Sequence, residues 1–233
     1  YGLGVSPEIL MDVNKVPLSI QAGGNSLQDM LRGPQQVNLP THILVNNASM
    51  SEDTAITNRL SALFYLWGTA LDLDETKLGE LGLDADVIME TSDRAWTVSS
   101  SLQQLGQPDV EEPKNAERKA FPLMAKVKGQ FPDAFAEKER PAWPKAQPPS
   151  QFGQPPAPQD DDAPEPPAEA VEAKPGELIL LGCSETFRKN FLQGAGSANL
   201  DLFLNSVDAV TLNENLALVR GRKPINRLIN RPG

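Results

Sequence analysis

A proline- and acid-rich segment divides this chain and limits what the chain can fold into. Eleven of the 21 prolines lie between Pro141 and Pro175, together with three consecutive aspartates and three glutamates. Such a segment cannot bury enough apolar surface to offset the entropy that is lost on ordering. We therefore expect residues 144–175 to form a flexible linker or loop that separates residues 1–143 from residues 176–233.

The remaining residues have the composition of a globular protein. Of all 233 residues, 39% are hydrophobic, which is enough for a core. The 31 acidic side chains outnumber the 21 basic ones, and this negative charge repels phosphate backbones, so we predict no nucleic-acid partner. No run approaches the roughly 20 apolar residues that a membrane-spanning helix requires.

The chain is poor in residues that could carry catalysis. Cys183 follows an apolar run and precedes a predicted helix, which is the setting of a nucleophile elbow. The only histidine, His42, lies far upstream at the head of a predicted strand, so we favour a structural cysteine. Acidic pairs such as Asp72 and Asp74 lack the ligand order of a calcium loop. We predict no catalytic residues, no cofactor and no metal site.

The N-terminal part contains several short apolar runs that are bounded by turn residues and read as strands. Residues 56–61 fit a short helical stripe, and the aromatic run that follows them fits a strand. Residues 121–129 alternate apolar and other side chains, which predicts a half-exposed strand. The other predicted strands are Glu8–Val13, His42–Val45 and Asp86–Thr91.

The C-terminal part reads as strand, helix, helix and strand. Leu178–Leu181 is the first strand, Ser184 opens a helix, and Leu216–Val219 is the last strand. The second helix begins near Asn199, and its apolar side is expected to consist of Leu200, Phe203, Leu204, Val207, Val210 and Leu212. This order predicts an α/β domain, with parallel pairing where helices cross over between strands.

Five segments, taken in order, resemble one known family. They are Tyr1 to Asp12 with its Leu-Met-Asp strand, Ala55–Leu60, Thr91–Thr97 with its Thr-Ser-x-x-x-Trp pattern, Phe121–Phe131, and 177–222. Together they resemble the extracytoplasmic region of the gliding-motility-type auxiliary components of ABC transporters. The chain departs from that family at Ala55, where proline is usual, and at Cys183, where asparagine is usual.

The resemblance implies a fold and a role. The fold would be α/β, a three-layer flavodoxin- or glutaminase-like sheet with helices on both faces, and residues 176–233 would complete the same domain as residues 1–143. Because the family's region opens with further strand-helix units, we expect the chain to be an incomplete fragment of that domain. The role would be a non-catalytic binding or scaffold domain facing the periplasm or the cell exterior, held in the cell membrane by a transmembrane helix outside these residues. Its partners would be the permease and ATPase subunits.

The Thr91–Thr97 segment supplies the candidate contact residues. Ser92, Arg94 and Trp96 lie after a predicted strand, where they could meet a partner or a ligand, although Trp96 could instead fill the core. Two alternatives stay open. A solute- or glycan-binding domain, with a cell-envelope polymer as a partner, predicts a deep polar pocket with exposed aromatic rings. A carboxylate-based envelope hydrolase predicts two acidic side chains that converge beside Trp96.

Overall fold

A computed structural model describes residues 1–20, 35–99, 110–114, 118–136, 172–192 and 198–212. The strands are β1 (Leu3–Val5), β2 (Ile9–Met11), β3 (Leu18–Ile20), β4 (Gln35–Val37), β5 (His42–Asn46), β6 (Ala62–Leu66), β7 (Leu71–Leu73), β8 (Asp84–Glu90), β9 (Trp96–Val98), β10 (Pro122–Phe131) and β11 (Lys174–Leu181). The helices are α1 (Glu75–Glu80), α2 (Lys189–Leu192) and α3 (Asn199–Leu212), and short 3-10 turns cover Asn47–Ser49 and Glu185–Phe187.

The largest sheet has three antiparallel strands, in the order β11, β10, β8. The central strand, β10, is buried at every residue from Leu123 to Val127. Successive side chains of a strand point to opposite faces, so other parts of the protein cover both faces of β10. The prediction of a half-exposed strand at 121–129 was therefore wrong. It rested on the alternation of apolar and other residue types, and Lys126 is one of the residues that break the apolar run. Lys126 is nevertheless buried, and its ammonium group is paired with Glu177 at 3.3 Å.

Four two-stranded antiparallel ladders surround this sheet: β1 with β7, β2 with β9, β3 with β4, and β5 with β6. The β2–β9 ladder pairs Met11 with Trp96 and so joins two of the segments that carry the family resemblance. The β5–β6 ladder runs from the pair His42 and Leu66 at one end to Asn46 and Ala62 at the other. Residues 47–61 form the connection between these two strands.

The predicted strands at Glu8–Val13, His42–Val45 and Asp86–Thr91 are confirmed as β2, β5 and β8. The predicted helix at 56–61 is wrong, since the chain there makes turns before β6 begins. The hydroxyl of Thr57 donates to the backbone carbonyl of Ser51 at 2.7 Å, and a side chain that bonds locally to the backbone competes with helix formation.

Two C-terminal details differ from the predictions, and a third agrees. Strand β11 begins at Lys174, within the predicted linker 144–175, because Pro175 is tolerated on a strand at the edge of a sheet. The helix predicted at Ser184 is a 3-10 turn, since the Ser184 side chain makes no capping hydrogen bond. The second predicted helix is confirmed as α3.

Every ladder formed by the described residues is antiparallel. The predicted strand Leu216–Val219, on which a parallel crossover would depend, lies outside the described residues, as does most of the predicted linker. The flavodoxin- or glutaminase-like arrangement of three layers therefore stays a prediction. Within the described ranges, no helix is both long enough and apolar enough to cross a membrane.

The main core lies between α3, the β5–β6 ladder and the central sheet. Its buried members include Leu10, Ile43, Val45, Ile56, Leu63, Tyr65, Ile88, Met89, Leu123, Met124 and Leu202. Helix α3 contributes Leu202 and Ala209 to it, but the apolar side predicted for this helix is exposed. Leu200, Phe203, Val207 and Val210 are between 39% and 45% exposed.

Polar anchors explain why α3 is turned this way. The buried Asn199 side chain accepts a hydrogen bond from the Phe64 amide at 3.0 Å and donates to the Phe64 and Thr186 carbonyls. The Asn205 carboxamide donates to the Ile56 carbonyl at 3.1 Å. A buried amide must find such partners, so the asparagine side of α3 faces the protein and the side with Val207 faces outward.

Candidate functional site

The Thr91–Thr97 segment forms a corner that is held by a buried aspartate. Asp12 is 1% exposed and follows β2. Its Oδ2 accepts from the Ser92 amide at 2.8 Å, and its Oδ1 accepts from the Ser92 hydroxyl at 2.7 Å and the Asn14 amide at 2.9 Å. A buried carboxylate requires several donors, and Ser92 supplies two of them.

The same corner is tied to the central sheet by Thr91. Its hydroxyl accepts from the Phe121 amide at 2.8 Å and donates to the Ser92 carbonyl at 3.0 Å. Phe121 immediately precedes β10. One chain of hydrogen bonds thus joins Asp12 to the start of the central strand, and this rigid corner positions Ser92.

Of the three candidate contact residues, only Arg94 reaches the surface fully. Trp96 is 2% exposed, so its side chain is buried, and its indole N–H has no hydrogen-bond partner among the described residues. Ser92 is half-buried and engaged with Asp12. The Arg94 side chain is 55% exposed and pairs with Glu112 at 3.0 Å.

Three carboxylates around this corner are engaged by other side chains or amides, whereas Asp93, within the corner, is exposed. Asp12 is held by Ser92 and Asn14, Glu8 accepts from the hydroxyls of Thr97 and Ser99, and Glu112 pairs with Arg94 and Arg118. A glycosidase needs two carboxyl groups that face one bond. This arrangement gives no support to the carboxylate-based hydrolase.

Cys183 and His42 do not form a nucleophile and base pair. Cys183 is 4% exposed, and its thiol donates to the Leu66 carbonyl at 3.2 Å. His42 is 3% exposed and contacts the ring of Trp67 edge to face. Burial lowers the pKa of His42 below its ordinary value of 6.5, and burial, with Cys183 close by, raises the pKa of Tyr65 well above 10.0.

A polar cavity of about 280 Å³ is the first of two features that the sequence did not predict. It is lined by Asn47, Met50, Ser51, Glu52, Thr57, Asn58, Arg59, Leu60 and Ser61. All of them belong to the connection between β5 and β6, which contains the Ala55–Leu60 segment. The length of this connection was an available signal, because long ordered loops are commonly functional.

The second feature is an apolar groove between β11 and α3, with a volume of about 300 Å³. Phe187 and Phe203 meet edge to face at 5.3 Å between ring centres along it. Here we call it the α3 groove. Its lining residues are Met124, Glu177, Leu178, Ile179, Leu181, Phe187, Phe203, Ser206, Val207 and Val210.

The described residues contain no group of three or more histidine, cysteine, aspartate or glutamate side chains that could hold a metal ion.

Comparison with protein families finds a match over residues 1–218, to a model described as an ABC-type uncharacterized transport system, auxiliary component. No curated protein and no solved structure gives a match to the chain.

Proposed function

Because this chain belongs to the ABC-type transport system auxiliary family, we propose that it is a non-catalytic binding or scaffold domain that contacts another subunit of the transporter. The observation that carries this proposal is the α3 groove. A helix that exposes Phe203, Val207 and Val210 on one side leaves apolar surface in water, and such surface commonly marks a site of protein association.

The shape and chemistry of the groove favour an apolar protein segment as its occupant. Two aromatic rings line it, and Glu177 is the only charged side chain among the lining residues that the structure describes. Depletion of charge with enrichment of aromatic and aliphatic residues is the composition of an interface core. The permease and ATPase subunits of the transporter are the partners that family membership favours.

The non-catalytic part of the proposal rests on the state of the candidate groups. Cys183 and His42 are both buried, the Cys183 thiol donates to the Leu66 carbonyl, and Asp12 and Glu112 are engaged by hydrogen bonds and ion pairs. A nucleophile must lie within reach of both a base and a substrate. The burial of Cys183 and the hydrogen bond of its thiol to a backbone carbonyl support a structural role.

We further propose that the chain is of the gliding-motility type, is anchored in the cell membrane and faces the periplasm or the cell exterior. The support is the order of the five segments that resemble that type. The full-length protein, tagged at Glu52 on the exposed connection, should be accessible to a membrane-impermeant reagent in intact cells or spheroplasts. Labelling only after lysis would place the domain in the cytoplasm and overturn this proposal.

Photo-crosslinking tests the partner directly. A crosslinking residue in place of Val207 in the full-length, membrane-embedded protein should capture a permease subunit that mass spectrometry identifies, since the permease is the subunit exposed outside the cytoplasm. The matched control is Asp201, which is also exposed on α3 but does not line the groove. Equal capture from both positions, or capture of no transporter subunit from Val207, would contradict the proposal.

A further inference from the structure

The polar cavity in the β5–β6 connection is built on a rigid support. Ile56 is completely buried, and the Asn205 side chain of α3 holds its carbonyl. The Ser51 amide donates to the Ile88 carbonyl at 3.0 Å, and the Thr57 hydroxyl donates to the Ser51 carbonyl at 2.7 Å. These anchors fix the loop to the core before any ligand arrives, which lowers the entropy lost on binding.

Three groups that line this cavity could form hydrogen bonds or ion pairs that the described residues do not provide. The Oδ1 atom of Asn58 is buried and has no hydrogen-bond partner among the described residues. Arg59 and Glu52 are both exposed and both described, yet no ion pair joins them across the cavity that they share. A buried acceptor without a donor is costly, and a ligand N–H group would satisfy it.

These groups together define a ligand chemistry. Arg59 offers a planar set of donors that matches a carboxylate, whereas Glu52 and the Asn58 oxygen accept from an ammonium group. The described lining contains no aromatic ring on which a sugar could stack. A volume of about 280 Å³ is slightly below the range of sites for drug-sized ligands.

We propose that this cavity binds a small zwitterion of the α-amino acid class. Arg59 binds the α-carboxylate, and Glu52 and Asn58 accept hydrogen bonds from the α-ammonium group. The hydroxyls of Ser51 and Ser61 are further polar groups on the wall. This site is separate from the α3 groove, so its test does not depend on the proposed contact with a transporter subunit.

Amide NMR titration of the whole chain with L-alanine tests this proposal. We expect saturable shifts at the amides of Ser51, Asn58 and Arg59, with a Kd below about 1 mM. Arg59→Ala should raise the Kd by about tenfold or more, since the carboxylate loses its charged partner. Arg94→Ala is the matched control, because it removes an exposed arginine that does not line the cavity, and it should leave the Kd unchanged.

Acetate and methylammonium serve as half-ligands, each carrying one of the two charges. Each should bind at least tenfold more weakly than L-alanine if both ends of the zwitterion are recognised. No saturable shift at the cavity amides, or acetate binding as tightly as L-alanine, would overturn the proposal. Arg59 is exposed, so its variant should fold, and its amide spectrum provides the check on folding.

Discussion

Strand β10 and helix α3 are both apolar, but the fold encloses one and leaves a side of the other open. In β10, five consecutive residues from Leu123 to Val127 are buried. In α3, Leu202 is completely buried, while Val207 is 42% exposed on the other side. The difference shows that burial depends on which layers cover an element and not on how apolar its side chains are.

The largest expected effect separates these two elements directly. Leu123→Ala removes a fully buried side chain and leaves a cavity, so it should lower the free energy of unfolding by about 2–5 kcal/mol. Val207→Ala, its matched control on the exposed side of α3, should change it by about 0.5 kcal/mol or less. Urea unfolding of both variants measures the difference, and similar losses would break the comparison.

The corner that leads into β10 should also be sensitive. Asp12→Ala leaves the Ser92 amide and hydroxyl and the Asn14 amide without their acceptor. Unpaired buried donors that had bonded to a charged group cost about 1.5–3 kcal/mol, so we expect a loss of about 3 kcal/mol in urea unfolding. Ser92→Ala removes only the hydroxyl bond and should cost less; an equal loss in both variants would contradict this account.

Two glycines give a smaller contrast in steric room. A methyl group at Gly182, which follows β11, would lie 2.3 Å from the Thr69 carbonyl oxygen, so Gly182→Ala should cost about 1–3 kcal/mol. At Gly79 in α1 no described atom outside the local helix backbone lies within 4 Å of that position, and Gly79→Ala should stabilise the protein by about 0.5–1 kcal/mol. Thermal unfolding measures both, and changes of the same sign would show that the end of β11 can move aside.

The smallest expected effect is a dependence on pH through His42 in β5. Burial lowers its pKa in the folded protein, so the unfolded chain binds its proton more readily. Stability should therefore fall as the pH decreases through about 6.5 towards the lowered folded pKa, and the His42 contribution should become constant below that. Urea unfolding between pH 5 and pH 8 should show this slope for the native chain and not for His42→Gln. If the variant keeps the same slope, the pH dependence of stability comes from titratable groups other than His42.

The sequence predicted where strands form better than it predicted what covers them. Short apolar runs bounded by turn residues located β2, β5 and β8, because local pattern and turn chemistry are encoded nearby. The burial of β10 depends on layers from distant parts of the chain. The orientation of α3 depends on Asn199 and Asn205, whose partners are carbonyls far away in the sequence.

The candidate site was predicted only in part, because its contacts also join residues that are far apart in the sequence. The Thr91–Thr97 segment is a structural corner, as its residue types allowed, but its partner Asp12 is separated from Ser92 by 80 positions. The buried position of Trp96 follows from the β2–β9 ladder, which no local pattern indicates. The polar cavity arises from turns within residues 47–61, and its residue types alone resemble an ordinary solvated loop.

The central claim is that the outer side of α3 is open in this chain and covered by a transporter subunit in the membrane. The most direct measurement is the rate at which a maleimide labels Val207→Cys in a Cys183→Ala background. We predict that labelling is as fast as that of Asp201→Cys in the isolated chain and at least tenfold slower in membranes that contain the assembled transporter. Protection already present in the isolated chain, or none in the membrane, would contradict the account.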